Sequence, residues 1–300
     1  MVVITSGSTV GAGSLKTASF EAEAPAQALS VAVVSAEPDR RVQGAVGMRA
    51  NVQNLIFDCP DARTLASFYA ELVLMPIRHL DTPERVVIGN DKSCTRLAFA
   101  TVDDFRPPTW PDPAYPQQLH LCGPAAAYGY DAESPTDLVQ RLGAIRLPDL
   151  GGDCPVYADP AGHPFCLCAG FPPKREDKSL RGYLGGVVFD CFDSPRALAA
   201  FYAELLDMPE RMEDEEGWVT IKAKDRTRPG LGFQGANGKQ PQWLDPECPP
   251  QLHLDIEVDD LAAAENLVAR LGATRLPDMG AEYVVYADPE GHPFCLYPAG

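Results

Sequence analysis

Two histidines could bind a ligand or transfer a proton. His120 and His253 each follow the dipeptide Gln-Leu and stand in a short apolar run typical of a strand. Side chains alternate between the two faces of a sheet, so His253 shares a polar face with Asp255, while Leu252 and Leu254 face the core. A polar ring on a largely buried face needs a partner or a ligand. We therefore expect at least one of the histidines to contact a ligand, with His253 and Asp255 as the catalytic candidates if the protein is an enzyme.

The same alternation adds further side chains to these polar faces. Cys166 and Cys295 are either small buried residues or nucleophiles and ligands, and the sequence shows no cationic neighbour that would lower a thiol pKa. Trp243 stands in a proline-rich crossover, as a loop anchor or as the wall of a pocket. The candidate ligand-binding residues are Asn54, His120, Cys166, Gln234, Trp243, His253, Asp255, Cys295 and Tyr297.

These residues recur because the chain contains a tandem duplication. The nine residues 159–167 return at 288–296 with a single difference, and Phe-Tyr-Ala-Glu-Leu occurs at 68–72 and at 201–205. A repeat longer than the ~20–50 residues of solenoid units is a whole domain. The predicted parts are an N-terminal extension over 1–50, a first domain over 51–170, a linker over 171–184 and a second domain over 185–300.

Composition excludes several classes of partner. The formal charge is −17, no Lys/Arg cluster reverses it locally, and no apolar run approaches the ~20 residues of a membrane span. We expect a small-molecule ligand, no nucleic acid, no membrane, and either a monomer with pseudo-twofold symmetry or a homodimer. The nine cysteines form no CxxC pair, which favours reduced thiols in a cytoplasmic protein. The first 47 residues lack the pattern of a secretory signal, and Met48 is an alternative start.

Each copy reads as strand, helix and several strands, followed by the same pattern again. Asp61 and Ser194 are predicted to cap the first helix of each copy, and the second helices are predicted to end before Gly143 and Gly272. The Asp-Pro-x-Gly segment that begins at Asp159, and its repeat, have the composition of a type I turn between the last two strands.

This arrangement of paired βαβββ modules resembles the vicinal oxygen chelate superfamily of glyoxalase I, bleomycin-resistance proteins and extradiol dioxygenases, in its glyoxalase-like branch. The resemblance covers most of residues 52–300 and rests on Phe-Tyr-Ala-Glu-Leu, Trp-x-Asp-Pro, and the segments 251–255 and 288–296. It implies an α+β fold of tandem domains. Each domain would have two modules forming a cup-shaped, mostly antiparallel sheet with helices outside and a small organic molecule bound inside.

The resemblance also implies a metal site that is degenerate here. The family's four ligand positions fall on Asn54, Ala100, His120 and Cys166 in copy one, and on Gly186, Gln234, His253 and Cys295 in copy two. Only the histidine survives in both copies, so we expect no cofactor. If a divalent metal did bind, Gln234, His253 and Cys295 would be its ligands.

Three functions remain open at this point. The first is binding of a metabolite or drug in a cup, with the second copy carrying the site. The alternative is a metal-dependent lyase, isomerase or dioxygenase of the same superfamily. The third is a scaffold whose cups are filled by side chains.

Overall fold

The protein is described by a computed structural model over residues 48–89, 95–110, 112, 114–123, 134–148, 154–167, 184–223, 228–242, 247, 249–277 and 283–299. These residues form four βαβββ modules. The first contains β1 (Ala50–Cys59), α1 (Ala62–Leu72), β2 (Ile77–Asp81), β3 (Arg85–Gly89) and β4 (Arg96–Thr101). The second contains β5 (Leu119–Cys122), α2 (Pro135–Arg141), β6 (Ile145–Arg146), β7 (Val156–Ala158) and β8 (Pro164–Cys166).

The other two modules repeat this pattern in the second copy. The third contains β9 (Gly186–Cys191), α3 (Pro195–Leu205), β10 (Glu210–Glu215), β11 (Trp218–Lys222) and β12 (Gly230–Gly235). The fourth contains β13 (Leu252–Val258), α4 (Leu261–Arg270), β14 (Thr274–Arg275), β15 (Val284–Ala287) and β16 (Pro293–Pro298).

The helices begin where the sequence predicts. The Asp61 side chain accepts hydrogen bonds from two backbone N–H groups in the first turn of α1, and the Ser194 side chain accepts one, from Ala197 N, in the first turn of α3. Gly143 and Gly272 follow the second helices with φ of 101° and 98°, in the left-handed region that favours glycine. Local sequence therefore decides the ends of these helices.

The strands form two eight-stranded sheets, and each sheet draws on both copies. The first sheet has the order β14-β15-β16-β13-β1-β4-β3-β2, and the second has β10-β11-β12-β9-β5-β8-β7-β6. The modules join through antiparallel pairs, β1 with β13 and β5 with β9, and most other ladders are also antiparallel. This confirms an α+β fold with two mostly antiparallel sheets.

The grouping of the modules differs from the expectation that the two modules of one copy share a cup. The physical reason is the similarity of the two copies. The open strand edge of the first module in one copy can pair equally well with the second module of its own copy or of the other copy. We call the face of the first sheet that points away from the helices cup 1, and the corresponding face of the second sheet cup 2. One continuous apolar core lies on the helix side of both sheets.

Several sequence-based expectations concern other parts of the chain. Residues 1–47 and 168–183 lie outside the described residues, so the proposed extension, linker and domain boundaries stay predictions. Cys59, Cys122, Cys166, Cys191 and Cys295 are free thiols, but Cys154 is disulfide-bonded, so the expectation of reduced cysteines is wrong for that residue. Within the described part, no helix has the length and apolar character that crossing a membrane requires.

Candidate functional site

The predicted site residues divide between the two cups. Cup 1 carries those on β1, β13 and β16, whereas cup 2 carries those on β5, β8 and β12. The prediction that Gln234 shares a face with His253 is therefore wrong, because β12 pairs with β9 in the second sheet while β13 pairs with β1 in the first. Trp243 lies outside the described residues. Cup 1 contains Asn54, His253, Asp255, Cys295 and Tyr297, and cup 2 contains His120, Cys166 and Gln234.

Asp255 is the centre of the polar network in cup 1. Its register partner on β1 is Asn54, whose Nδ2 donates to Asp255 Oδ2 at 3.1 Å. Arg85 Nη2, from β3, donates to the same oxygen at 3.1 Å. Sequence reasoning missed Arg85, although alternation beside the buried Val86 and Ile88 could have placed it on this face. The carboxylate is thus already paired with a cation.

Two polar atoms beside this network have no hydrogen-bond partner. Asn54 Oδ1 and His253 Nδ1 are both buried and unpaired among the described residues. Asp58 faces the same cup from β1, and its burial raises the pKa of its carboxyl, with the charges of His253 and Arg85 partly offsetting that effect. Unpaired buried polar atoms are rare in native proteins and call for an explanation, such as a ligand.

The rest of cup 1 is an apolar wall and a polar edge. Ile56, Val87 and Ala98 pack together to form the wall. At the edge, the Tyr297 hydroxyl donates to the side-chain carbonyl of Gln53. The cup therefore combines a wall suited to an apolar body with a few converging polar groups, as small-molecule sites do.

The donor set of cup 1 does not fit the chelate of a hard divalent metal. The potential ligand atoms of His253, Asp255 and Cys295 lie within 4.8 Å of one another. However, the positively charged guanidinium of Arg85 already forms an ion pair with the Asp255 carboxylate. Burial and the neighbouring Asp255 raise the pKa of the Cys295 thiol well above its usual range, so a metal would have to displace a tightly held proton to bind the sulfur. The family's metal-ligand position on β4 carries Ala100, whose side chain offers no ligand atom.

Cup 2 holds a histidine–cysteine pair. His120 on β5 and Cys166 on β8 are hydrogen-bonded through their side chains. Gln117 Nε2 lies 3.2 Å from the other ring nitrogen of His120, Nδ1. The sequence shows no neighbour that would lower the pKa of Cys166, but the structure places His120 beside it from an adjacent strand.

This pair is linked to a buried acid that sequence reasoning did not select. Asp190 on β9 accepts a hydrogen bond from Gln234 Nε2. Burial raises the pKa of Asp190 to about 6. The charge of His120 and the hydrogen bonds from two glutamine side chains lower this pKa, but by less than burial raises it. Burial by itself lowers the pKa of His120, but Cys166 and Asp190 more than offset this, so that the net pKa is raised.

The histidines beside the turns are structural. His163 Nδ1 lies 2.9 Å from Asp159 Oδ2, and His292 Nδ1 lies 3.1 Å from Asp288 Oδ2, with both rings fully buried. The hydroxyl of a buried tyrosine on the first helix of each copy, Tyr69 in the first, donates to the same carboxylate. These residues stabilise the turns on the helix side, away from the cups.

Comparison with known proteins agrees with this architecture. The profile of the Glyoxalase-like domain matches residues 54–168 and 186–297, so the chain belongs to that family, within the vicinal oxygen chelate superfamily. Glyoxalase I from Zea mays is 14% identical, with a TM-score of 0.52 over 83% of this chain and 92% of that one. A putative dioxygenase from Bacillus subtilis subsp. subtilis str. 168 is 12% identical, with a TM-score of 0.54 over 83% and 84%. At these identities the likeness concerns the fold alone. No curated protein gives a significant match.

Proposed function

We propose that cup 1 binds a small, uncharged organic molecule that carries at least one hydrogen-bond donor. The unpaired, buried Asn54 Oδ1, on the same sheet face as the unpaired His253 Nδ1, carries this proposal. A buried polar atom without a partner costs about 1–3 kcal/mol. A ligand that fills the vacant hydrogen bond recovers part of that cost. Because an amide oxygen only accepts, the ligand must bring an O–H or N–H group to Asn54.

The charges around the cup favour an uncharged ligand. Arg85 and Asp255 neutralise each other at 3.1 Å, and burial raises the pKa of the Asp58 carboxyl on the same sheet face, which favours its uncharged form. The formal charge of −17 repels anions at long range. The wall of Ile56, Val87 and Ala98 suits an aliphatic or aromatic body.

The proposed contacts are a subset of the residues selected from the sequence. Asn54 and His253 would bind the ligand directly, and Asp255 would hold Asn54 in place through its hydrogen bond. Cys295 and Tyr297 line the same sheet face. His120, Cys166 and Gln234 belong to cup 2 and take no part in this site.

The second candidate function is that of a metal-dependent lyase, isomerase or dioxygenase. The observation in its favour is the group formed by His253, Asp255 and Cys295. The pairing of Asp255 with the Arg85 guanidinium, and the absence of a ligand atom at Ala100, argue against it. The first function is therefore the one that the chemistry of the cup supports best.

A screen of uncharged alcohols and amides by saturation-transfer NMR tests the proposal. For the hits, His253→Ala and Asn54→Ala should each weaken binding roughly tenfold, the value of one lost hydrogen bond. His120→Ala is the matched control, because it removes the equivalent histidine from cup 2. Equal losses in His120→Ala and His253→Ala, or hits unaffected by either cup 1 variant, would contradict the proposal.

A further inference from the structure

Cup 2 contains two cysteine thiols on neighbouring strands. Cys122 ends β5 and Cys166 ends β8, and they are direct partners in the parallel ladder between these strands. Both side chains point into cup 2, where they pack with Val188. Neighbouring strands lie about 4.8 Å apart, within the range of about 4.4–6.8 Å between the Cα atoms of disulfide-bonded residues. The two thiols are therefore placed to form a disulfide without a change of fold.

The two thiols have different protonation. Cys122 hydrogen-bonds to the Cys166 sulfur, and this bond, followed by the hydrogen bond and charge of His120, holds the pKa of Cys166 below its usual range despite burial. The same contact raises the pKa of Cys122, with burial adding to it. The Cys166 thiol therefore ionises more readily than the Cys122 thiol. A thiolate is the form of cysteine that reacts with electrophiles and peroxides.

The corresponding position of cup 1 provides an internal contrast. Cys295 is the counterpart of Cys166 in the repeat, but its neighbour across the ladder is Asp255 rather than a cysteine. Burial and that carboxylate raise its pKa, which keeps the thiol unreactive. The difference between the cups comes from the residues around an identical Pro-Phe-Cys-Leu segment, 164–167 and 293–296.

We propose that Cys166 and Cys122 form a reversible dithiol–disulfide pair that is oxidised by small hydroperoxides. In the first step the Cys166 thiolate attacks the terminal peroxide oxygen, the O–O bond breaks, and the leaving alkoxide takes a proton from His120. This oxidises the sulfur to a sulfenic acid and reduces the peroxide to an alcohol, or to water for hydrogen peroxide. In the second step Cys122 sulfur attacks Cys166 sulfur, and the sulfenic oxygen leaves as water with the Cys122 proton.

The oxidant must be small, because the pair is only slightly exposed. Cys166 and Cys122 have 6% and 4% of their surface accessible, and Trp218 and Val156 pack against them. Hydrogen peroxide is close to water in size and is the probe for the test. This proposal concerns cup 2 and does not depend on ligand binding in cup 1.

The test treats the full-length protein with hydrogen peroxide, blocks the remaining thiols with N-ethylmaleimide, and maps peptides by mass spectrometry without reduction. The expected product is a peptide pair linked through Cys122 and Cys166, with fragmentation separating Cys166 from Cys168. Cys295, in the same sample, should react at least about tenfold more slowly. A wild-type protein in which Cys295 reacts as fast as Cys166, or in which no such link forms, overturns the proposal.

Two variants separate the steps. Cys122→Ser should block the disulfide and leave a sulfenic acid on Cys166 that dimedone traps when the oxidised protein is unfolded in its presence. His120→Gln should slow the oxidation of Cys166 by about tenfold, because the thiolate loses its cationic partner. Unchanged oxidation in His120→Gln, or a Cys122→Ser protein with no dimedone adduct at Cys166, counts against the assigned roles. Peptide mapping of the wild type decides the question if either variant fails to fold.

Discussion

Gln118 and Gln251 hydrogen-bond to each other's backbone. Gln118 N donates to Gln251 Oε1 at 3.2 Å, and Gln251 N donates to Gln118 Oε1 at 3.0 Å. The side-chain amide of each also donates to a proline carbonyl in the other copy, Pro249 and Pro116 respectively, at 2.9 Å. Both glutamines are fully buried. They stand at equivalent positions of the repeat, so their contact joins the two copies symmetrically just before β5 and β13.

Replacing one of these glutamines should destabilise the whole protein. Gln251→Ala leaves the Gln118 backbone N–H and the Pro116 carbonyl without partners, at a cost of about 2–3 kcal/mol in the free energy of unfolding. Urea denaturation measures this. The double variant with Gln118→Ala should cost more than either single change, because each side chain makes its own hydrogen bonds to backbone groups of the other copy. A double variant as stable as Gln251→Ala would contradict these separate roles.

Glu290 should matter more than an ordinary helix cap. It is the single difference between the two Asp-Pro-x-Gly-His segments, and its buried carboxylate accepts from the backbone N–H of Phe192 and Ser194 at 2.8 and 2.7 Å. Glu290→Ala should lower the free energy of unfolding by about 2–3 kcal/mol, because these are hydrogen bonds to a charged group. Ser194→Ala is the control, with an expected cost of about 1 kcal/mol. Equal costs would show that Glu290 acts as no more than a cap.

Asp190 should make the protein less stable as pH rises. Its folded pKa of about 6 lies above its unfolded value of about 3.9, so the folded state binds the proton more tightly. Stability contributed by this proton is present below about pH 4 and is lost as pH rises through about 6. The free energy of unfolding of Asp190→Asn, relative to the wild type, should therefore increase by up to about 3 kcal/mol between pH 4 and pH 7.

The control for this pH dependence is an acidic residue whose pKa is lowered, rather than raised, in the folded protein. Side-chain hydrogen bonds from Arg196 and Arg211 lower the pKa of Asp214. The stability that ionised Asp214 contributes is present above its unfolded pKa and is lost as pH falls through its folded pKa. The free energy of unfolding of Asp214→Asn, relative to the wild type, should therefore decrease as pH rises. Denaturant titrations of both variants at several pH values measure the difference. The assignment fails if Asp190→Asn tracks the wild type at every pH.

Removing Arg85 should uncover metal affinity in cup 1. Arg85→Ala takes a positive charge away from Asp255 and should strengthen zinc binding by about tenfold, measured by calorimetry. Arg78→Ala is the matched control, since it removes an equal charge from the surface pair with Asp81. The added affinity should disappear when His253→Ala is combined with Arg85→Ala. Tight zinc binding by the wild type would instead support the metal-dependent alternative.

The alternation of side chains in β13 could be predicted from the sequence and is confirmed. Leu252 and Leu254 are buried in the core, while His253 and Asp255 are partly exposed on the opposite face. The helix caps at Asp61 and Ser194 could also be predicted from the sequence and are confirmed. These features depend on residues a few positions apart, so the period of the pattern determines them.

The composition of each cup could not be predicted in the same way. Gln234 and His253 belong to one copy, yet they lie in different sheets. Asn54 and Asp255 belong to different copies, yet they are partners in one ladder. The two copies offer equivalent strand edges, and alternation specifies a face of the sheet but not the strand that pairs with it.

The sequence by itself thus determined the modules, their helix ends and the polar face of each strand, because these follow from local spacing. Only the tertiary structure decided that Arg85 pairs with Asp255 and that His120 meets Cys166. Each contact joins residues from different strands, 170 positions apart in the first case. The charge state of a cysteine depends on such neighbours, and strand pairing is what brings them together.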